Sequence, residues 1–237
     1  MLSLNSELAP EGRIRVGINF GNALLAKRGE KGEPYGIALD LAQELARRTS
    51  LPFQMIAYEA AGRMADGARR GEWDVAFLAT DPERATEIAF TSPYLEMDTT
   101  YLVSAESPIS SVEEVDRDGL HIAVSAKSAY DLILTRDLRH AHIERAPGPN
   151  ASVDLFFAEN LDALAGVKPL LLEIVEKHPG LRVLEGRFGV VQQAVGTPKG
   201  RDAAAHYLLN FVEDIKRSGL VTALIAKNEI RGVSVVS

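Results

Sequence analysis

Two successive series of alternating strand-like and helix-like periodicity constrain this chain more than any other feature. Arg13-Ile-Arg-Val-Gly-Ile-Asn19 alternates charged and apolar residues up to the turn Asn19-Phe-Gly-Asn22, the pattern of a strand and its exit loop. From Gly36, the apolar residues Ile37, Leu41 and Leu45 recur at helical spacing opposite Asp40, Gln43, Glu44, Arg47 and Arg48. Leu51 to Tyr58 then reads as a strand, Ala60 to Arg70 as a helix and Asp74 to Ala79 as a buried strand. Strands that alternate with helices imply a parallel sheet, because each helix carries the chain back to the same sheet edge.

After the extended segment Thr99 to Ser104 a second series begins. Its strands are expected at 121–125, 142–145, 162–166 and 182–184, with helices at 128–138, 152–160 and 169–177. Near the end Ala204, Leu208, Phe211 and Ile215 share one helix face, Gly219 stands where a C-terminal cap is wanted, and a last helix covers Leu220 to Lys227. These helices are expected to pack on the first unit. The reading is an α/β chain of two lobes, 1–98 with 192–237 and 99–191, interwoven because no Pro/Gly/Ser-rich linker separates them.

Composition removes several function classes. A net charge of -7 lacks the basic stripe that displaces counterions from nucleic acid. With no cysteine, thiolate metal sites, disulfides and cysteine nucleophiles are excluded. No apolar run reaches the roughly 18 residues of a transmembrane helix. Met1 to Pro10 has neither the basic nor the apolar region of a secretion signal. Gly17-Ile-Asn-Phe-Gly21 lacks dinucleotide-loop spacing, and neither a GxxxxGK loop nor a GxSxG elbow occurs. His140 and His142 are placed to share a strand face, but no third metal ligand accompanies them.

Several phrases resemble, in order, the family 3 extracellular solute-binding proteins, the polar amino-acid class with the type II periplasmic binding fold. Arg15-Val-Gly-Ile-Asn19 is similar to the family's opening strand, and Gly36-Ile-Ala-Leu-Asp-Leu-Ala-Gln-Glu-Leu-Ala46 to its "GFDVDLAxAIA" helix. Gly71-Glu-Trp-Asp-Val-Ala-Phe77 resembles "GKxDVII", and Asp81-Pro-Glu-Arg-Ala-Thr-Glu-Ile-Ala-Phe-Thr-Ser-Pro-Tyr94 resembles "TPERxxxxxFSxPY", the most specific match. Looser similarity continues through His121-Ile-Ala-Val, Ser128-Ala-Tyr130 and Asn160-Leu-Asp-Ala-Leu164, so that the resemblance spans residues 13 to 217. It implies the substrate-binding component of an ABC importer, with a cleft between lobes that close by hinge motion on a small carboxylate-bearing solute. It further implies no cofactor, a permease partner and a monomeric protein in the periplasm, or in the cytoplasm if the chain has no leader.

By the same resemblance Arg84 grips the ligand's carboxylate, a task suited to the planar guanidinium fork. The alternative is a surface arginine paired with Asp81, Glu83 or Glu87. Ala79 and Thr80 are expected to add donors at the strand end, although the segment is two residues shorter than the family's "xSxxTPER". Asn19 and Asn22 lie in the first exit loop. Ser128 opens a helix where its hydroxyl and local amides can meet an anion, or act as a plain N-cap. Lys127 replaces a usual glycine. The family's stacking aromatic aligns with Ala60 and Ala61, leaving Tyr58 and Phe20 to approach from neighbouring loops.

In the loop after Asp162-Ala-Leu164 the family places an acid for the ligand's ammonium, yet here stand Gly166, Val167 and Lys168. Asp162 itself reads as a structural strand residue. The favoured solute is therefore expected to lack an ordinary α-ammonium or to carry a second anionic group, with Lys168 as a contact or a solvated lysine. Two other readings stay open: a cyclohexadienyl or prephenate dehydratase-like enzyme using Glu96, Asp98 or Asp131 as general acid, and a ligand-sensing protein.

Overall fold

The computed structural model describes residues 4–236; Met1 to Ser3, where the reading of the N-terminus starts, and Ser237, which closes the first lobe, lie outside the described residues. In chain order the elements are α1 (Leu4–Leu8), β1 (Ile14–Asn19), β2 (Lys27–Arg28), β3 (Pro34–Tyr35), α2 (Ile37–Thr49), β4 (Phe53–Tyr58), α3 (Ala61–Arg69), β5 (Val75–Ala79) and β6 (Ile88–Phe90). Next come β7 (Leu95–Ser104), β8 (His121–Ser125), α4 (Ala129–Asp137), β9 (His142–Ala146), α5 (Pro149–Ala158), β10 (Ala163–Val167), α6 (Lys168–Lys177) and β11 (Leu181–Val183). The chain ends with β12 (Gly189–Pro198), α7 (Asp202–Arg217), α8 (Leu220–Lys227) and β13 (Ser234–Val235). Two compact units divide it, one running up to Glu96 and resuming at Gln192, the other Met97–Val191.

In the first unit β1 lies between β4 and β5 and is parallel to both, as its alternation with helices requires. β12 adds to β5 antiparallel, and β6 to β12. The α2 stripe Ile37, Leu41 and Leu45 is fully buried, each side chain contributing about 1.5–3 kcal/mol of apolar burial. Gly36 opens this helix at φ 126°, where a Cβ would stand 2.5 Å from the Leu25 carbonyl oxygen, so the close approach of the preceding turn requires glycine. On α3, Met64 packs with Trp73, Ala76, Leu78 and Ile88. The C-terminal helices return to this unit, α7 against α1 and β6, and α8 against α2.

In the second unit β8 runs parallel to β9 and β10, while β7 pairs antiparallel with β10 and β11 with β7. Successive residues of each strand enter different cores, following the period of two. Tyr101, Val103, Ile122, Val124, Ala163 and Ala165 pack with Leu134 of α4, whereas Leu102, Ala123 and Leu164 pack with Phe156 of α5 and Leu171 of α6.

Three differences from the sequence reading have physical causes. Helix α5 starts at Pro149 rather than Ser152, because proline's fixed φ suits the first turn, where no N–H is needed. β12 has no counterpart in the reading, since Gln192 and Gln193 interrupt its apolar pattern and its partners are distant in sequence. The segment after Leu164 is no loop: β10 runs to Val167 and α6 starts at Lys168.

Candidate functional site

Because β1, β4 and β5 are parallel, their carboxyl ends share one edge of the first unit, at Asn19, Tyr58 and Ala79. This is the edge where parallel sheets present loops to ligands. Arg84 begins a single helical turn, Arg84–Thr86, and folds back so that its Nη1 donates to the Ala79 carbonyl at 2.9 Å. It is only 6% exposed, which replaces the surface-arginine alternative with a buried cation. Burial pulls the guanidinium down to about 10, against the attraction of Asp81, Glu83 and Asp66. A desolvated cation favours an anion beside it, since charge attraction strengthens as water is excluded.

Around it the other expected contacts are largely turn-builders. The Thr80 amide donates to the Gln192 carbonyl at 2.8 Å, and its hydroxyl reaches the same oxygen at 3.5 Å. Buried Asp81 accepts the Glu83 amide at 2.8 Å and holds the turn that delivers Arg84. Asn19 Oδ1 accepts from the Gly21 amide and Asn22 Oδ1 from the Leu24 amide, at 3.0 and 3.2 Å. Tyr58 corrects the expectation of a ring near the ligand. It is buried with Met64 and Trp73, and its hydroxyl donates to Glu72 Oε2 at 2.7 Å. As the last residue of β4 it points inward. Phe20 does stand on the edge, beneath the guanidinium of Arg28 at 4.0 Å.

In the second unit, β8, β9 and β10 likewise bring their carboxyl ends to one edge, which places Lys127, Ser128 and Lys168 on the same side of that sheet. Ser128 caps α4, its Oγ accepting the Asp131 amide at 3.0 Å. Burial pushes the neighbouring Tyr130 hydroxyl up, against hydrogen bonds with Ser128 and Ser125. Lys127 adopts φ 56°, the left-handed region that favours glycine, and strain of about 1–2 kcal/mol is held there by its surroundings. Its amide donates to Asp131 Oδ2 at 2.7 Å, and Arg145 Nε donates to Asp131 Oδ1 at 3.0 Å. Lys168 is half-buried at the first position of α6. Asp162, expected within the strand, precedes β10 and accepts the His121 amide at 2.8 Å.

The acids considered for catalysis all have partners: Glu96 accepts from Gln192, Asp98 from Arg187 and Asp131 from Arg145. The two histidines do not share a site. His142 stacks on His121 with centroids 5.0 Å apart, whereas His140 Nδ1 lies 3.3 Å from Asp118. Among the described residues no group of three or more His, Cys, Asp or Glu is placed to hold a metal ion. Nor is any helix among them long and apolar enough to cross a membrane.

Residues 14–228 match the family of bacterial extracellular solute-binding proteins, family 3. Among solved structures, the solute receptor for L-cysteine of Neisseria gonorrhoeae is similar at 20% identity and a TM-score of 0.84, over 98% of this chain and 96% of that one. An amino acid ABC transporter substrate-binding protein of Streptococcus pneumoniae bound to L-arginine is 17% identical, with a TM-score of 0.80 over 94% and 98% of the two chains. An ancestral amino-acid-binding protein, a precursor of cyclohexadienyl dehydratase, is 20% identical, with a TM-score of 0.79 over 95% and 99%. These likenesses establish a shared fold. No curated protein matches the sequence.

Proposed function

Because this chain belongs to family 3 of the bacterial extracellular solute-binding proteins, we propose that it is the substrate-binding component of an ABC importer. It works outside the cytoplasm and holds a small carboxylate-bearing solute, an amino acid or a related organic acid. The observation that carries this reading is the buried Arg84 at the carboxyl end of β5, anchored on Ala79 and surrounded by turns that hold it in place. Its fork pairs bidentately with a carboxylate. Binders of cysteine and arginine among the structural relatives support a solute of this size.

The solute is bound and released without chemical change. In a thermal-shift screen of amino acids, dicarboxylates and opines, the bound solute raises the melting temperature, because it binds the folded state alone. Arg84→Ala lowers affinity by about 2–5 kcal/mol, as expected when one partner of a buried charge pair is removed. Undiminished binding by that variant refutes the site. Incubation with prephenate is expected to yield no phenylpyruvate, and its appearance would establish the dehydratase instead.

A further inference from the structure

The strand-end edge of the first unit carries a second guanidinium, on a hairpin that helical or strand periodicity does not reveal. Arg28 in β2 sets its guanidinium carbon 4.0 Å from the centre of the Phe20 ring, and its Nη2 lies 3.0 Å from Glu59 Oε1. Phe20 directly follows β1 and Glu59 directly follows β4, so the pair stands on the edge where β5 delivers Arg84.

The platform under Arg28 is tied to the neighbouring strand end. The Phe20 amide donates to the Tyr58 carbonyl at 2.8 Å, and a Cβ on Gly21 would stand 2.4 Å from the Glu59 carbonyl oxygen, so the two loops are in contact through backbone. The ring orients the guanidinium and holds it by cation–π attraction. Its anionic partner is loose by contrast: the Glu59 side chain is 72% exposed, and an ion pair that open to water adds little stability. A carboxylate arriving on a solute can replace Glu59 on the fork without leaving a buried charge behind. β4 and β5 flank β1, which sets their ends ~10 Å apart at the usual strand spacing. A solute whose two anionic groups are a few carbons apart matches a spacing of that order.

We infer that Arg28, mounted on Phe20, determines specificity by gripping a second anionic group, so that the preferred solute is a dianion such as a dicarboxylate or an acidic amino acid. The inference rests on the carboxylate-binding role proposed for the same edge. Calorimetric titration of the purified chain with malonate through adipate, L-aspartate and L-glutamate, each paired with its monoamide, tests it. The expected result is a dianion bound more tightly than its monoamide. Arg28→Ala then loses affinity for the dianion by roughly tenfold or more, with the monoamide changed little. Glu59→Gln, which removes the competing carboxylate, raises dianion affinity. Equal losses for dianion and monoamide in Arg28→Ala would overturn the inference, as would binding of monoanions alone by the native chain. In that last case binding that still requires Arg84 would leave the carboxylate-binding reading intact.

Discussion

In each unit a buried aspartate pairs with arginine, Asp74 at the amino ends of the first unit's strands and Asp131 at the carboxyl ends of the second's. Asp74 precedes β5, away from Arg84, and accepts from the Arg15 amide and Nε at 3.0 Å, Arg15 Nη2 at 2.8 Å and Arg201 Nη1 at 2.7 Å. Asp131 sits in the first turn of α4, at the carboxyl ends of the second unit's strands, and accepts from Lys127, Thr135 and Arg145. The same chemistry therefore closes the base of one sheet and holds the turn that opens α4 at the far edge of the other. The expected outcome is that loss of Asp74 is felt as stability alone and loss of Asp131 as stability and binding together.

The largest expected effect tests the first half of this contrast. Asp74→Ala leaves two part-buried arginines without their shared acceptor and lowers stability by about 3–5 kcal/mol in urea unfolding. Affinity of the folded protein should stay within about twofold, the sites being far apart. A collapse in affinity at unchanged stability would erase the distinction. The effect carries a pH signature. Burial pulls the Asp74 carboxyl up, but hydrogen bonds from Arg15 and Arg201 outweigh it and hold the group below the usual range. Its stabilising contribution is therefore full above about pH 4 and is lost as pH falls further through the folded value. The variant should lack that acid-side loss.

Asp131→Ala comes next. It frees the Lys127 amide and Arg145, with an expected loss of about 2–3 kcal/mol in stability, and it weakens solute binding roughly tenfold because the α4 turn loses its shape. Normal affinity in a destabilised Asp131→Ala variant would show that the turn does not serve the ligand. Smallest is Lys127→Gly, which relieves the left-handed strain and should raise stability by about 0.5–1 kcal/mol while lowering affinity. Opposite signs in the two measurements would mark a residue kept for binding at the expense of stability. Equal affinity would make Lys127 a solvated lysine.

Much of this was legible in short stretches of chain. Hydrophobic period located β1, α2, β5, β8, α4, β10, α6 and α7 within a few residues, because the face an element buries repeats every two or 3.6 residues wherever its partners lie. The phrase around Arg84 singles that residue out as a candidate from sequence alone. Asp162 reads from sequence as a strand residue; it stands just before β10, and its hydrogen bond to the His121 amide joins it to β8.

What only the tertiary structure decided depends on partners remote in sequence. Tyr58 turns inward to Glu72 rather than to a ligand, because Met64 and Trp73 line the inner face of β4's end. β12 becomes a strand by pairing with β5 more than a hundred residues earlier, against a glutamine-interrupted pattern. Arg28 lies in a two-residue strand, too short for any period, and acquires its position from Phe20 and Glu59 on two other loops. The residue order thus specified which faces are apolar and which phrase carries Arg84. Long-range packing specified which way each edge side chain points, since that direction is set by neighbours that no local pattern encodes.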